Sequence, residues 1–389
     1  MFKGMGWIYK QYIIAIAVAI ACFMPPFIGL ATNIALPEIM RDLKLPDNMW
    51  GLIHTSYLLI STILLIPAAR YADKTSKKQV FLIGVLFIGF GSLGIYFVNN
   101  WELFMVMRAI EGIGNALMFG TAIALVTTAV KTSIRGTAIG IVMTGVFIGQ
   151  LIGPLLGFLG ECESYGGWRI IYLTIVPFAL ISFILTIAFI PKDTQTDNKS
   201  YDCIGSVLFM VGMLCSLYGL SKIPDIMATV LLCIGIIIML IFFKYEIKNP
   251  NPIIPVYLIV NNKQFTMNNI ANLLYYLAIF SMGPLISMYL ANIGGLSPLQ
   301  RSLIITTEGL ILVFFTIMIG KLHDHLLPKR VYTSGLLLIG IGTFITIFGL
   351  DWSIVNTPTE LIKAVISTSI VAFGIGLIII AIINKIFQI

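Results

Sequence analysis

Apolar runs about twenty residues long alternate along this chain with short polar loops, and that length lets a helix cross the hydrocarbon core of a bilayer. The pattern predicts helical spans over 11–38, 48–69, 79–98, 102–129, 136–159, 168–190, 203–221, 226–245, 265–291, 298–320, 331–350 and 358–384. The strict two-residue alternation of a membrane β-barrel is absent. The first run begins at Gln11 and carries no small-residue cleavage site, so it reads as a retained span rather than a cleaved leader. A short polar stretch from Pro191 to Ser200 breaks the series, and a second connector, Lys244 to Lys263, holds Pro250, Pro252 and Pro255, which interrupt any continuous helix. Three units are expected: 1–190, a six-helix bundle; 191–262, a linker with two inserted helices and a connector; and 263–389, a second bundle of four helices that is incomplete.

Composition narrows the class. Apolar residues make up 58% of the chain and charged residues 11%, too few charges to cover a water-soluble domain. The fold class expected is therefore an all-α polytopic membrane protein with about twelve transmembrane helices. The net charge of +7 does not signal nucleic acid, because Lys and Arg gather in every second loop. Arg41, Lys44, Arg169, Lys222, Arg301 and Lys363 fall on the opposite side, and Arg108 lies within a span. Positive charge inside then puts both termini in the cytoplasm and the chain in the cell membrane. Cys22, Cys162, Cys203, Cys215 and Cys233 show no CxxC spacing and read as packing residues. His54 stands alone in its span, and His323-Asp324-His325 reads as a solvated loop rather than a metal site. No catalytic set, no phosphate-binding Walker loop and no cofactor motif occur, so neither an enzyme nor an ATP-driven pump is expected.

One polar loop appears twice. Ala69-Arg70-Tyr71-Ala72-Asp73-Lys74-Thr75-Ser76-Lys77-Lys78 is echoed by Gly320 to Arg330, each with a small residue four before an Asp and a basic cluster after it. Aligning Asp73 with Asp324 lays spans 9 to 12 on spans 1 to 4, leaves spans 7 and 8 without counterparts, and ends the second half before any equivalent of spans 5 and 6. The basic residues Lys74, Lys77 and Lys78 are explained by solvation alone. The repeated Asp is not, and Asp73 and Asp324 are expected to form contacts that make and break as two bundles rock.

Three further features carry candidate chemistry. Arg108 and Glu111 lie well inside the bilayer three residues apart, so they can share one helix face, where a lone charge would cost ~2.5–3.5 kcal/mol. They read either as a structural ion pair or as a polar element facing a water-filled cavity, a proton relay in which Glu111, like Glu308, is a candidate coupling acid. Glu308 lies near the middle of its span between Thr307 and Gly309, with no partner nearby in sequence, a candidate proton or cation site. Gly145, Gly149, Gly153, Pro154 and Gly157 form a stripe that another helix can approach closely, bent at the proline, and the bend is expected to seal the two halves. Tyr275 and Tyr276 could stack on cations or pack against lipid.

These residues resemble the major facilitator superfamily. Ala69 to Lys78 is similar to that family's loop between spans 2 and 3, with Ala69, Tyr71 and Ser76 replacing its Gly, Leu and second Gly. Arg108 to Gly114 resembles its span-4 signature, with Glu111 in place of Gln, and Gly149 to Phe158 its exporter signature in span 5. Ile34-Ala35-Leu36-Pro37 and Gly167-Trp168-Arg169 resemble the fourteen-span drug/proton antiporters, as do the two inserted helices. The resemblance implies two helical bundles rocking around a midplane cavity, export of lipophilic or cationic compounds, and protons as the coupling partner. Two departures matter: Ile28 stands where that subfamily often has an acid, and the last two spans are missing. A facilitator or importer of a small metabolite, or a non-transporting remnant or half of a split transporter completed by a two-helix segment, are the alternatives.

Overall fold

The computed structural model describes residues 2–44, 50–160, 167–191, 201–223 and 225–263, and in the C-terminal part 310–315, 328–349 and scattered positions within 265–277 and 363–375. Among the described residues the regular structure is helical. The first unit comprises α1 (Phe2–Asp42), α2 (Trp50–Lys74), α3 (Lys77–Tyr96), α4 (Trp101–Ala129), α5 (Arg135–Gly160), and α6 and α7 (Arg169–Leu173 and Ile175–Phe189). A helix pair follows, α8 (Cys203–Ser221) and α9 (Ile226–Lys248), then a short α10 (Val256–Asn261); α11 is Pro328–Phe348.

Sequence sets these boundaries locally. Ser76, Asn100, Asp202 and Asp225 each sit in extended backbone just before a helix and accept a hydrogen bond from an amide of its first turn. Residues 168–190, expected as one span, form two helices meeting at Thr174. Pro177 has no N–H to give to the carbonyl four residues back, which is where the ladder is interrupted. Ser76, which replaces a glycine of the resembling loop, serves as the N-cap of α3.

Seven segments among the described residues are long and apolar enough to cross a membrane: Tyr9–Asn33, Lys77–Tyr96, Trp101–Ala129, Arg135–Gly157, Arg169–Phe189, Cys203–Ser221 and Ile226–Lys248. Their outward faces carry large apolar side chains, such as Ile83, Leu86, Phe87 and Phe90 on α3 and Ile236, Ile237, Leu240 and Ile241 on α9. A continuous exposed apolar surface of this kind belongs against lipid tails, and helices suit it because their backbone groups are satisfied internally. The chain is a multi-pass membrane protein.

Packing within the first unit pairs α1 with α5, α3 with α4, and α2 with α4, while α7 lies against α1 and α3. One core cluster runs through α1, α3, α4, α5 and α6–α7, with Phe27, Phe81, Phe104, Trp168 and Tyr172 among its largest members. The α8–α9 pair packs mainly on itself and touches the first unit through α2. A second contact joins α5 to the C-terminal part: Phe147, with Met143 beside it, packs on Leu312 and Ile375.

Candidate functional site

The polar interior of the first unit lies where α4 meets α2 and α3. Arg108 is 1% exposed and Glu111 fully buried. Arg108 Nη1 donates to Glu111 Oε2 at 2.8 Å, and Ser92 Oγ of α3 donates to Glu111 Oε1 at 2.6 Å. Both carboxylate oxygens are therefore occupied, one by a cation and one by a hydroxyl. Gly91, one residue before Ser92, makes room for the acid: a methyl there would strike the Glu111 Cγ. The three-residue spacing does bring the pair onto one helix face.

Above the guanidinium lies Tyr57 of α2, with Arg108 Cζ 4.6 Å from the ring centroid. One turn beyond Tyr57 on α2 and two turns beyond Arg108 on α4, Asn115 Nδ2 donates to Ser61 Oγ at 2.7 Å. Three buried polar atoms of this seam have no partner: Tyr57 Oη, Arg108 Nε and Asn115 Oδ1. Across the core, Thr32 of α1 and Tyr172 of α6 share a hydrogen bond at 2.8 Å. Sequence reasoning missed Tyr57, Ser61 and Asn115; a polar residue two helical turns from Arg108 is the signal that points to Asn115.

The basic loop is held at both ends. Asp73, half-exposed at the end of α2, pairs with Lys77 of α3 at 3.1 Å. Lys78 Nζ donates to the carbonyls of Ile187 at 3.0 Å and Ile190 at 2.5 Å, covering the C-terminus of α7. Arg70 Nε donates to the Ile253 carbonyl of the connector at 2.6 Å. Lys74, the last residue of α2, is exposed. The loop thus joins α2, α3, α7 and the connector, and among the described residues the ion-pair partner of Asp73 is its neighbour Lys77.

On α5, Gly145, Gly149 and Gly153 face α1. A methyl at Gly145 would strike the Ala19 carbonyl, one at Gly149 the Phe23 carbonyl, and one at Gly153 would lie 3.0 Å from the Phe27 carbonyl. Only hydrogen at these positions permits so close an approach of two backbones. Pro154 and Gly157 are buried in the same helix. The stripe therefore joins helices of one unit, and the Met143–Phe147 side of α5 is the part that meets Leu312 and Ile375.

Asp324, Glu308, His323, His325, Tyr275, Tyr276 and Cys162 lie outside the described residues, as does the side chain of His54. Among the described residues no group of three His, Cys, Asp or Glu is placed to hold a metal ion. Cys22 is buried, as a packing residue should be, whereas Cys203 and Cys233 are exposed; all three, with Cys215, are free thiols. Asp202 and Glu246, brought together where α8 begins and α9 ends, carried no sequence motif that was recognised.

Comparison with known proteins agrees with this architecture. The sequence profile of the Major Facilitator Superfamily matches residues 12–243. The riboflavin transporter RibZ of Clostridioides difficile (strain 630) is 26% identical over 95% of this chain and 78% of its own length. The multidrug efflux pump SdrM of Staphylococcus aureus (strain N315) is 25% identical, covering 88% of this chain and 76% of the relative. The multidrug resistance protein Stp of Mycobacterium tuberculosis (strain ATCC 25618 / H37Rv) is 24% identical over 87% of this chain, which spans 64% of Stp. Among solved structures, the xylose transporter XylE of E. coli in a partially occluded inward-open conformation superposes with a TM-score of 0.57 at 14% identity, covering 98% of this chain and 88% of XylE. That likeness shows the fold, and the profile match shows the family: this chain is a transporter rather than an enzyme, and it belongs to the major facilitator superfamily.

Proposed function

We propose that this chain is a proton-coupled exporter of lipophilic or cationic compounds that works by alternating access. In this reading it has about twelve spans, with bundles at 1–190 and 263–389 joined through 191–262 and both termini in the cytoplasm. The observation that carries the reading is the double-sided α5. Its glycine side is seated on the α1 backbone, and its Met143–Phe147 side packs on Leu312 and Ile375. A helix fixed to one unit and in apolar contact with the next suits a boundary across which two rigid bodies rock. Export is favoured by the similarity to SdrM, a multidrug efflux pump, and a drug-like substrate by that to Stp, a multidrug resistance protein.

Within this reading, Asp73 and Asp324 gate by exchanging partners, Asp73 leaving Lys77 in the opposite state. The closed bond set of Glu111 supports a structural role for the Arg108–Glu111 pair, and coupling falls to Glu308. The full chain reconstituted in proteoliposomes, with ethidium as the probe cation, tests this. An imposed proton gradient is expected to drive dye against its own gradient, and Glu308→Gln to abolish that movement while leaving downhill exchange. Equal transport with and without the gradient would overturn the coupling. A second reading, movement of a small metabolite, is favoured by the extent of similarity to RibZ. Riboflavin counterflow that ignores the proton gradient would replace the first reading with it.

A further inference from the structure

Two carboxyl groups meet at the end of the inserted pair. Asp202 caps α8, its Oδ1 accepting from the Gly205 amide at 2.8 Å and from Tyr245 Oη at 3.1 Å. Its Oδ2 accepts from Asn249 Nδ2 at 2.6 Å. Asp202 is thus supplied with three donors, the bonding of an ionised carboxylate. Glu246, on the last turn of α9, is 2% exposed. Its Oε2 accepts from the Ile254 amide at 3.3 Å, and its buried Oε1 has no partner. Gly205 shows where that oxygen points: a methyl on Gly205 would strike both Glu246 Oε1 and Asp202 Oδ2, so the two oxygens crowd one small space.

Among the described residues no cation enters that space. Arg70 of α2 gives its Nε to the Ile253 carbonyl, and Lys244 and Lys248 on α9 are exposed. The other titratable groups around the pair among the described residues are Tyr245 of α9, Tyr201, whose hydroxyl meets Ser206 Oγ at 2.8 Å, Tyr71 of α2, edge-on to Tyr201, and the exposed Cys203. None is a positive charge directed at Glu246. Two carboxylates this close in a dry site cannot both ionise.

From this geometry we infer that Asp202 and Glu246 hold one proton between them, carried on Glu246 Oε1 and donated to Asp202 Oδ2, as a latch that docks the connector. The connector is tied at two adjacent residues. The Ile254 amide binds Glu246, and the Ile253 carbonyl binds Arg70 while its side chain packs with Phe209 and Phe242. Removing the proton sets a second negative charge against Asp202. Glu246 must then turn toward water, and the Ile254 amide is released. The inserted helices, the connector and α2 are thereby coupled to pH, whatever the transported compound.

Hydrogen exchange of the purified full chain, read by mass spectrometry over the connector and corrected for the intrinsic rate at each pH, tests the latch. In the native chain, exchange around Ile254 is expected to quicken about tenfold as pH rises from about 5 to about 9. Glu246→Gln, whose amide donates to Asp202 and whose carbonyl accepts from Ile254, is expected to stay protected across that range. Gly205→Ala, which fills the space between the carboxyls, is expected to be fast throughout. Corrected exchange that does not change with pH would overturn the proposal, as would the same pH step in Glu246→Gln. Protection regained at high pH on adding sodium or calcium would overturn it in favour of a cation site.

Discussion

Glu111 and Glu246 are both buried acids, yet their surroundings differ in kind. Glu111 lies inside the first unit with Arg108 on one oxygen and Ser92 on the other. Glu246 lies at the margin of the inserted pair with an amide on one oxygen and a second carboxyl beside the other. The first arrangement neutralises the charge with a fixed opposite charge and has no state to switch into. The second neutralises nothing unless a proton is present, so it responds to pH. The same side chain becomes a girder in one place and a latch in the other, and its neighbours decide which.

The largest effect expected from breaking this contrast comes from the cation. Arg108→Met strips Glu111 of its partner and leaves a buried charge facing only Ser92. Such an uncompensated charge costs about 3–5 kcal/mol, so the thermal unfolding midpoint in detergent should fall sharply. The paired change Arg108→Met with Glu111→Leu should recover most of the loss, because two apolar side chains replace the pair without an orphan. If the single variant unfolds at the native midpoint, the pair does not hold α4.

A smaller effect distinguishes the two acids by their hydroxyl and amide donors. Ser92→Ala removes a hydrogen bond to a buried carboxylate and should cost about 1.5–3 kcal/mol. Asn249→Ala removes one of three donors to Asp202 at a partly exposed site and should cost about 0.5–1.5 kcal/mol. Denaturant titration of both variants would check the order; a larger loss for Asn249→Ala would reverse the ranking of the two sites.

How much of this was legible in the sequence follows from what is local. The span 203–221 is legible at both ends because an apolar run of helical length fills it between polar residues. The Arg108–Glu111 pair was legible because both members lie on one helix at a helical spacing. Ser92 was not, since an isolated serine among apolar residues of α3 gives no sign that it faces an acid of α4. The Asp202–Glu246 pair was hidden for a further reason: Glu246 lies in a lysine-rich stretch that reads as a solvated connector, and only the antiparallel return of α9 beside α8 buries it. The glycine stripe was legible as a packing face. That its partner is α1 of the same unit, while Phe147 reaches the other, depends on tertiary placement that no local pattern carries.

A third acid gives the smallest effect and sharpens the comparison as an exposed control. Asp42 closes α1 outside its membrane-spanning part and accepts from Arg169 Nη1 and from Trp168 Nε1 at 3.0 Å. Partial burial opposes its charge. The hydrogen bonds from Arg169 and Trp168 and the charges of Arg169 and Arg41 outweigh that, so the carboxyl is held below its usual value of 3.8. A depressed folded-state value stabilises the protein at pH above the unfolded value, and the contribution is lost as pH falls from about 4 through the folded value. Because solvent screens this exposed pair, the loss should stay under about 1 kcal/mol. Asp42→Asn should therefore lower the unfolding midpoint slightly at neutral pH and not at all in acid. Its dependence runs opposite to that of the latch, which is closed in acid and opens as pH rises. A chain in which both sites weakened in the same direction would show that Glu246 behaves as an ordinary paired carboxylate, with no proton shared.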